Sequence, residues 1–357
     1  MQFSRREERK LIKALEKVAP GTDLREGLEH ILSARTGALI VIGDYEEVQS
    51  LCNGGFELSV EFTPQRLFEL AKMDGAIIMD DAISRLLRAN VHLVPDPTLP
   101  TSETGMRHRT AERVARQTKA LVISISQRRD VISLYLDGTK YALQDIRVLL
   151  AKANQALQTL EKYKIRLDEV LANLSALEFE DLATLLDVVT VLQRSEMVRR
   201  VSREVERYIS ELGTEGRLIR LQLDELVGTT DEQSIMIIKD YALDPKKVNE
   251  ISESLFDLTP EELLDLNEIA KVLGHEEVVD LLEQPVHSRG YRLLSKIPRL
   301  YYDVIEKIVN KFHNLQSIMN ASIEELDSVD GVGPIRAKAI KDGLQRLKEY
   351  NILERYI

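Results

Sequence analysis

TGMRHRTAERVARQTKALVISISQRRDVISLYL, from Thr104 to Leu136, changes its period part-way along. Thr110–Thr118 holds no glycine or proline and reads as a helix. Ala120–Ser126 and Val131–Leu136 are then two strand-length apolar runs around a polar Gln127–Asp130, the pattern of a hairpin. A helix feeding directly into a hairpin makes the surrounding domain α/β. Working outward, Gly37–Gly43, Ala76–Met79 and Ala89–Val94 read as further strands, and Asp137-Gly138 opens a turn into Tyr141–Leu143. Residues 1–145 are therefore expected to form an α/β domain on a mixed sheet.

Beyond it the period is helical. Ile146, Leu150, Ala153, Leu157, Leu160, Leu167, Leu171 and Leu174 recur largely at spacings of three and four. That builds one apolar stripe on a helix of about 30 residues, about 45 Å long. Helical patterns continue through Leu182–Leu212, Arg217–Leu226 and Thr259–Leu273, punctuated by Gly213, Gly216 and Gly228. The stripe does not keep strict heptads, so an intramolecular spine is favoured over a partner-binding coiled coil. Pro285 marks the start of a last, compact segment with two short hairpin signals. The expected architecture is multidomain α/β plus all-α: 1–145, a helical spine over 146–285, and 286–357.

At 357 residues with 44% hydrophobic and 30% charged side chains, the chain reads as a folded protein with more than one core. Its net charge of −11 is unevenly spread. Residues 1–150 balance at 21 basic and 21 acidic, residues 151–284 hold 15 and 29, and residues 285–357 hold 12 and 9. The acidic middle would repel phosphates along its length, so any nucleic-acid contact belongs at the C-terminal end. No apolar run approaches the roughly 18–20 residues that cross a bilayer, so no membrane partner is expected. The charged Arg5–Lys10 stretch is unlike a secretory leader. A lone Cys52 excludes an internal disulfide and a cysteine-rich zinc site, and the expected location is the cytoplasm.

Leu326-Asp-Ser-Val-Asp-Gly331-Val332-Gly333-Pro334-Ile-Arg336-Ala-Lys338-Ala-Ile340 resembles the helix-hairpin-helix motif. Gly331 and Gly333 permit a tight turn with positive φ and leave no side chain over the backbone. Amide groups there can face a phosphate, Pro334 suits the first position of the next helix, and Arg336 and Lys338 add charge. Gly331, Val332, Gly333, Arg336 and Lys338 are the candidate DNA contacts. Ile297-Pro298-Arg299-Leu300 is a fainter upstream copy without the glycine pair. Contacts of this kind touch phosphates and carry no base information, so the expected ligand is a DNA shape.

Two stretches of the first domain carry candidate chemistry. Asp74-Gly75-Ala76 sets a carboxylate beside uncovered backbone at a strand edge, and Arg107-His108-Arg109-Thr110 supplies phosphate-binding groups at a helix start. Taken alone, the arginines equally suit a solvated helix face. Neither a P-loop nor a Gly-x-Gly-x-x-Gly turn is present. Together with Ala89-Asn-Val-His-Leu-Val-Pro-Asp-Pro97, these motifs and their order resemble the diadenylate cyclase family with a C-terminal helix-hairpin-helix.

That resemblance implies that two ATP molecules condense to cyclic di-AMP and two pyrophosphates, each 3′-hydroxyl attacking the other's α-phosphorus. It places Asp74 beside the 3′-hydroxyl and a Mg²⁺ or Mn²⁺ ion, as base or as metal ligand. Gly75, Ala76 and Leu93 would approach the nucleoside. Arg107, His108, Arg109 and Thr110 would hold phosphates, and Ser126 would face the same cleft. The family commonly has threonine where this chain has Met106, which removes one hydroxyl contact. The resemblance further implies a bacterial homo-oligomer, an octamer, whose activity answers to branched or damaged DNA and which sits on the nucleoid when bound. The competing reading is a non-enzymatic, nucleotide-sensing binder of DNA structures. Asp80-Asp81 reads as a solvated turn and not as a nuclease cluster.

Overall fold

The computed structural model describes residues 5–43, 46–127, 130–276 and 280–354. Arg128 and Arg129, inside the expected Gln127–Asp130 turn, lie outside the described residues. The chain divides into two compact units, residues 1–155 with 205–221, and residues 156–204 with 222–357.

The first unit is a mixed sheet covered on both faces. Its strands are β1 (Ala38–Ile42), β2 (Cys52–Asn53), β3 (Phe56–Glu61), β4 (Ala76–Met79), β5 (Arg85–Leu93), β6 (Leu121–Ser126), β7 (Val131–Leu136) and β8 (Thr139–Ala142). They lie in the order β2-β5-β4-β1-β6-β7-β8, with β3 also paired to β5. Among the described residues, β1 and β4 are the one parallel pair and the others are antiparallel, so the sheet is mixed, as expected. The helices are α1 (Arg5–Lys17), α2 (Asp23–Ser33), α3 (Glu46–Ser50), α4 (Pro64–Leu70) and α5 (Met106–Thr118).

All five residues of β1 are buried, and alternation divides them between two cores. Ala38, Ile40 and Ile42 join Leu15, Leu28 and Leu67 on one face, while Leu39 and Val41 join Ala111, Val114 and Ala115 of α5 on the other. A strand buried on both sides reads as one apolar run, which is why β1 was legible. Strand β3 was not. Its FELSVE sequence is mostly exposed and, among the described residues, pairs with β5 alone, so neither burial nor alternation marks it.

Helix α5 begins at Met106, four residues ahead of the expected Thr110. Gly105 is extended and caps it, and the Arg109 amide donates to the Gly105 carbonyl at 2.9 Å. The arginine–histidine triplet is thus the first turn of the helix and does not precede it. Asp80 accepts from the amides of Ser84 and Arg85 at 2.7 and 2.8 Å, confirming a polar turn at 80–81.

The long helices are α6 (Ile146–Glu180), with 35 residues, and α7 (Leu185–Leu212), with 28. They are followed by α8 (Arg217–Val227), α9 (Thr230–Tyr241), α10 (Val248–Asp257), α11 (Pro260–Leu264) and α12 (Leu266–Val272). The single helix expected over Thr259–Leu273 is two, because Asp265 leaves helical geometry and accepts from the Asn267 amide as a new cap.

The C-terminal part of the second unit comprises α13 (Tyr291–Ser295), α14 (Tyr302–Phe312), α15 (Leu315–Asn320), α16 (Ile323–Asp327) and α17 (Gly333–Glu354). Phe179 of α6 belongs to its apolar core with Leu293, Ile308 and Ile340. Beside it the buried Arg292 pairs with Glu178 of the same helix. Among the described residues, no helix is long and apolar enough to cross a membrane.

Candidate nucleotide site and DNA-facing hairpins

Strand register gathers the N-terminal candidates at one edge of the sheet. Leu39 is level with Ala76, Ala38 with Ile125, and Ala76 with Val91. Gly37, Asp74-Gly75, Leu93 and Ser126 therefore lie at the same strand ends. Asp74 is exposed in the turn before β4. Gly75 has φ +90°, and a Cβ there would stand 2.8 Å from the Asn90 carbonyl carbon and 2.9 Å from the Val91 carbonyl oxygen. Only glycine fits where this turn crosses the β5 backbone. The side chains of Ala76 and Leu93 are buried in the sheet core and do not themselves line the edge. Ser126 is half-buried at the end of β6.

Helix α5 brings its first turn to this edge. A Cβ on Gly37 would lie 1.8 Å from Nη1 of Arg107, so the guanidinium is seated over bare backbone at the start of β1. Among the described residues, no hydrogen bond or ion pair occupies the side chains of Asp74, Arg107, Arg109 or Thr110. Met106 is 76% exposed and offers no polar group.

His108 is held differently. Its Nδ1 lies 2.9 Å from the Tyr135 hydroxyl, which donates to Glu103 Oε1 at 3.0 Å, and Lys140 donates to the same oxygen at 2.5 Å. Burial would raise the Glu103 carboxyl, but the bonds from Lys140 and Tyr135 outweigh it and hold the group below its usual range. Burial and the Glu103 bond push the Tyr135 hydroxyl far up, so it remains protonated.

The second unit presents two turns of one design, 32 residues apart. The Ile297 amide donates to Leu294 at 3.0 Å and the Leu300 amide to Ile297 at 3.3 Å. Correspondingly, Val329 donates to Leu326 at 3.1 Å and Val332 to Val329 at 3.0 Å. Arg299 and Gly331 occupy the same place and share the left-handed conformation, at φ +64° and +87°. The faint upstream copy is a structural repeat, with arginine adopting the conformation that glycine adopts downstream. Gly333 also has positive φ, with nothing within 4 Å of a Cβ placed on it.

Val332 is 2% exposed and its amide is engaged inside the turn, so it shapes the hairpin from within. Arg336 Nη1 donates to the Gly331 carbonyl at 2.5 Å, placing its charge over the turn, and Lys338 is exposed on α17. Asp330, the acid nearest the turn, is paired with Lys307, which lowers its carboxyl.

Three stretches of the chain match known families. Residues 25–140 match a family described as DisA bacterial checkpoint controller nucleotide-binding, and residues 143–282 match the DisA bacterial checkpoint controller linker region. Residues 314–343 match the helix-hairpin-helix motif. The DNA integrity scanning protein DisA of Acetivibrio thermocellus is 54% identical over 353 residues, covering 99% of this chain and 98% of that protein. That of Carboxydothermus hydrogenoformans is 55% identical over 342 residues, covering 95% and 97%. The chain belongs to the DisA family. It is a diadenylate cyclase, converting two ATP to cyclic di-AMP and two pyrophosphates.

Among the described residues of this DisA-family chain, no three His, Cys, Asp or Glu side chains cluster as a metal cage. A lone exposed carboxylate at Asp74 fits a hard divalent cation that keeps waters and arrives on substrate phosphates. Four residues that bear on the site escaped the sequence reading. Gly37 is adjacent to Arg107 only in space, Glu103 stands just outside the quoted motif, Tyr135 reads as an apolar strand residue, and Lys140 as a turn charge. The sole available signal was a Tyr hydroxyl in an otherwise apolar β7, which must find a buried partner.

Proposed function

We propose that the strand-end edge beside α5 is where ATP is cyclised. The observation that carries this is the seating of Arg107 over Gly37, level with the Asp74-Gly75 turn. Arg107, Arg109 and Thr110 bind phosphate oxygens, His108 donates to the leaving pyrophosphate, and backbone groups at Gly75, Ala76 and Leu93 meet the nucleoside, with Ser126 at the rim. Met106 leaves its expected hydroxyl contact unmade. Asp74 stands beside the 3′-hydroxyl, where it accepts the hydroxyl proton or holds Mg²⁺ or Mn²⁺. The ion, when bound, neutralises phosphate charge and polarises the reacting oxygens. Groups fixed in advance around developing charge cost no reorganisation in the transition state.

A product made of two identical halves requires two sites face to face, so the active species is a two-fold homo-oligomer, assembled as an octamer. Synthesis belongs to residues 1–145, the spine to 146–285 and DNA contact to 286–357. Gly331, Gly333, Arg336 and Lys338, with Arg299 in the first hairpin, grip phosphates of branched DNA without reading bases. The protein is cytoplasmic and joins the nucleoid on binding DNA. DNA bound at the hairpins lowers the cyclase rate, and because coupling is reciprocal at the level of binding, nucleotide also alters DNA affinity by a factor comparable to the one by which DNA alters nucleotide affinity.

The test is the initial rate with and without a four-way junction, for the wild type and for Arg299→Glu/Lys338→Glu. Charge reversal is cleaner than truncation at residue 286, because Phe179 and Glu178 are built into the hairpin core. The junction should slow the wild type and leave the variant unaffected. Equal inhibition of both would move the DNA contact elsewhere.

A further inference from the structure

The hydrogen-bond chain behind His108 has a direction that follows from chemistry. An ionised Glu103 can only accept, so the single Tyr135 proton goes to it, across 3.0 Å. The Tyr135 oxygen is then left to accept from His108 Nδ1 at 2.9 Å, so Nδ1 carries a proton. Any proton or hydrogen bond that His108 exchanges with nucleotide must pass through Nε2. Tyr135 is 1% exposed and closely packed, and the Glu103 side chain is 12% exposed and pinned by Lys140.

We propose that Tyr135 and Glu103 are positioning residues for cyclic di-AMP synthesis: they fix the His108 ring with its proton on Nδ1 and favour its protonated form, so that Nε2–H donates to the leaving pyrophosphate. This rests on the assignment of His108 to the phosphates. Neither residue touches nucleotide. Both act through the imidazole, as a carboxylate orients and electrostatically supports a histidine in other enzymes, with a tyrosine hydroxyl interposed. The charged groups facing this chain are Glu103, Lys140 from β8, and Glu112 from α5, which is itself held by Arg116 and the Thr101 hydroxyl. Arg107 and Arg109 flank His108 on its own helical turn. Lys140 partly offsets the Glu103 charge, so the chain supports an imidazolium without trapping it.

The test compares Tyr135→Phe, Glu103→Gln, His108→Ala and Tyr135→Phe/His108→Ala in the full-length protein, with kcat, KM for ATP and the pH–rate profile. Tyr135→Phe should lower kcat about 10- to 100-fold and leave KM for ATP within about twofold. The high-pH limb of its profile should move to lower pH, because the imidazolium loses its carboxylate support. Glu103→Gln still accepts the Tyr135 proton and removes the charge, so it should move the same limb with a smaller loss of kcat. In the double variant Tyr135→Phe should add nothing to the loss from His108→Ala. An unshifted profile in both Tyr135→Phe and Glu103→Gln overturns the proposal, and so do multiplicative losses in the double variant. Near-normal activity of His108→Ala would instead overturn the assignment of His108 itself. Should Tyr135→Phe fail to fold, Glu103→Gln alone decides through its pH profile.

Discussion

The Arg107 guanidinium lies over Gly37 so closely that a methyl group on residue 37 would sit 1.8 Å from Nη1. The first turn of α5 and the start of β1, 70 residues apart in sequence, thus form one surface. The three closest atoms to that methyl position all belong to the end of the Arg107 side chain, which can move at little cost to the fold.

Gly37→Ala should therefore fold with a melting temperature close to that of the wild type while displacing Arg107. Loss of charge-assisted bonds worth about 1.5–3 kcal/mol predicts ATP binding weaker by about 10- to 100-fold. Calorimetric titration with a non-reactive ATP analogue measures this, and unchanged affinity would mean that Arg107 does not contact phosphate.

Gly75→Ala should behave differently, because its obstacle is backbone. With φ +90° and the Asn90 and Val91 main chain within 3.0 Å of the new Cβ, the Asp74 turn must deform. Strain of about 1–3 kcal/mol should lower the melting temperature as well as the activity. A variant with wild-type melting behaviour would show that the turn relaxes freely.

Much of this arrangement was readable in the residues, and what was not has physical causes. The buried strands announced themselves because both faces of β1 are apolar, and α6 because its stripe keeps a helical period. The start of α5 was misplaced because Gly105 caps it with backbone alone and leaves no Ser, Thr or Asp signature. Gly37 and Lys140 meet the site through sheet register, and Glu103 through the loop before α5 that carries it to Tyr135 and Lys140. The first hairpin looked doubtful because Arg299 stands in a conformation that sequence rules reserve for glycine.

Arg299→Gly separates those two aspects of the first hairpin. Glycine adopts the left-handed conformation without strain, so stability should hold or rise. If Arg299 neutralises a phosphate, DNA affinity should fall and the slope of log K against log salt should drop by about one. An unchanged slope would leave that hairpin with a packing role only.

Asp240 in α9 predicts a pH response of the second unit. It accepts from the Tyr291 and Arg292 amides at 2.7 and 3.0 Å, yet burial and the charge of Glu178 raise its carboxyl to about 7, above the usual 3.8. The folded state holds this proton more tightly than the unfolded state. The stabilisation from that protonation is therefore complete below the usual carboxylate range and is lost as pH rises towards about 7. Thermal unfolding of Asp240→Asn should show a flatter pH dependence over that interval than the wild type. Coincident curves would contradict it.

The most direct measurement is the initial rate of cyclic di-AMP formation from ATP and Mn²⁺ by the wild type and by Asp74→Asn, with nucleotide binding and melting temperature followed alongside. The exposed Asp74 carboxylate takes part in no bond among the described residues, so its loss should leave folding and DNA binding intact. It should slow synthesis by about two or more decades, roughly 3 kcal/mol of barrier. Near-normal turnover in the variant would remove Asp74 from the reaction and contradict the placement of the catalytic site at this edge of the sheet.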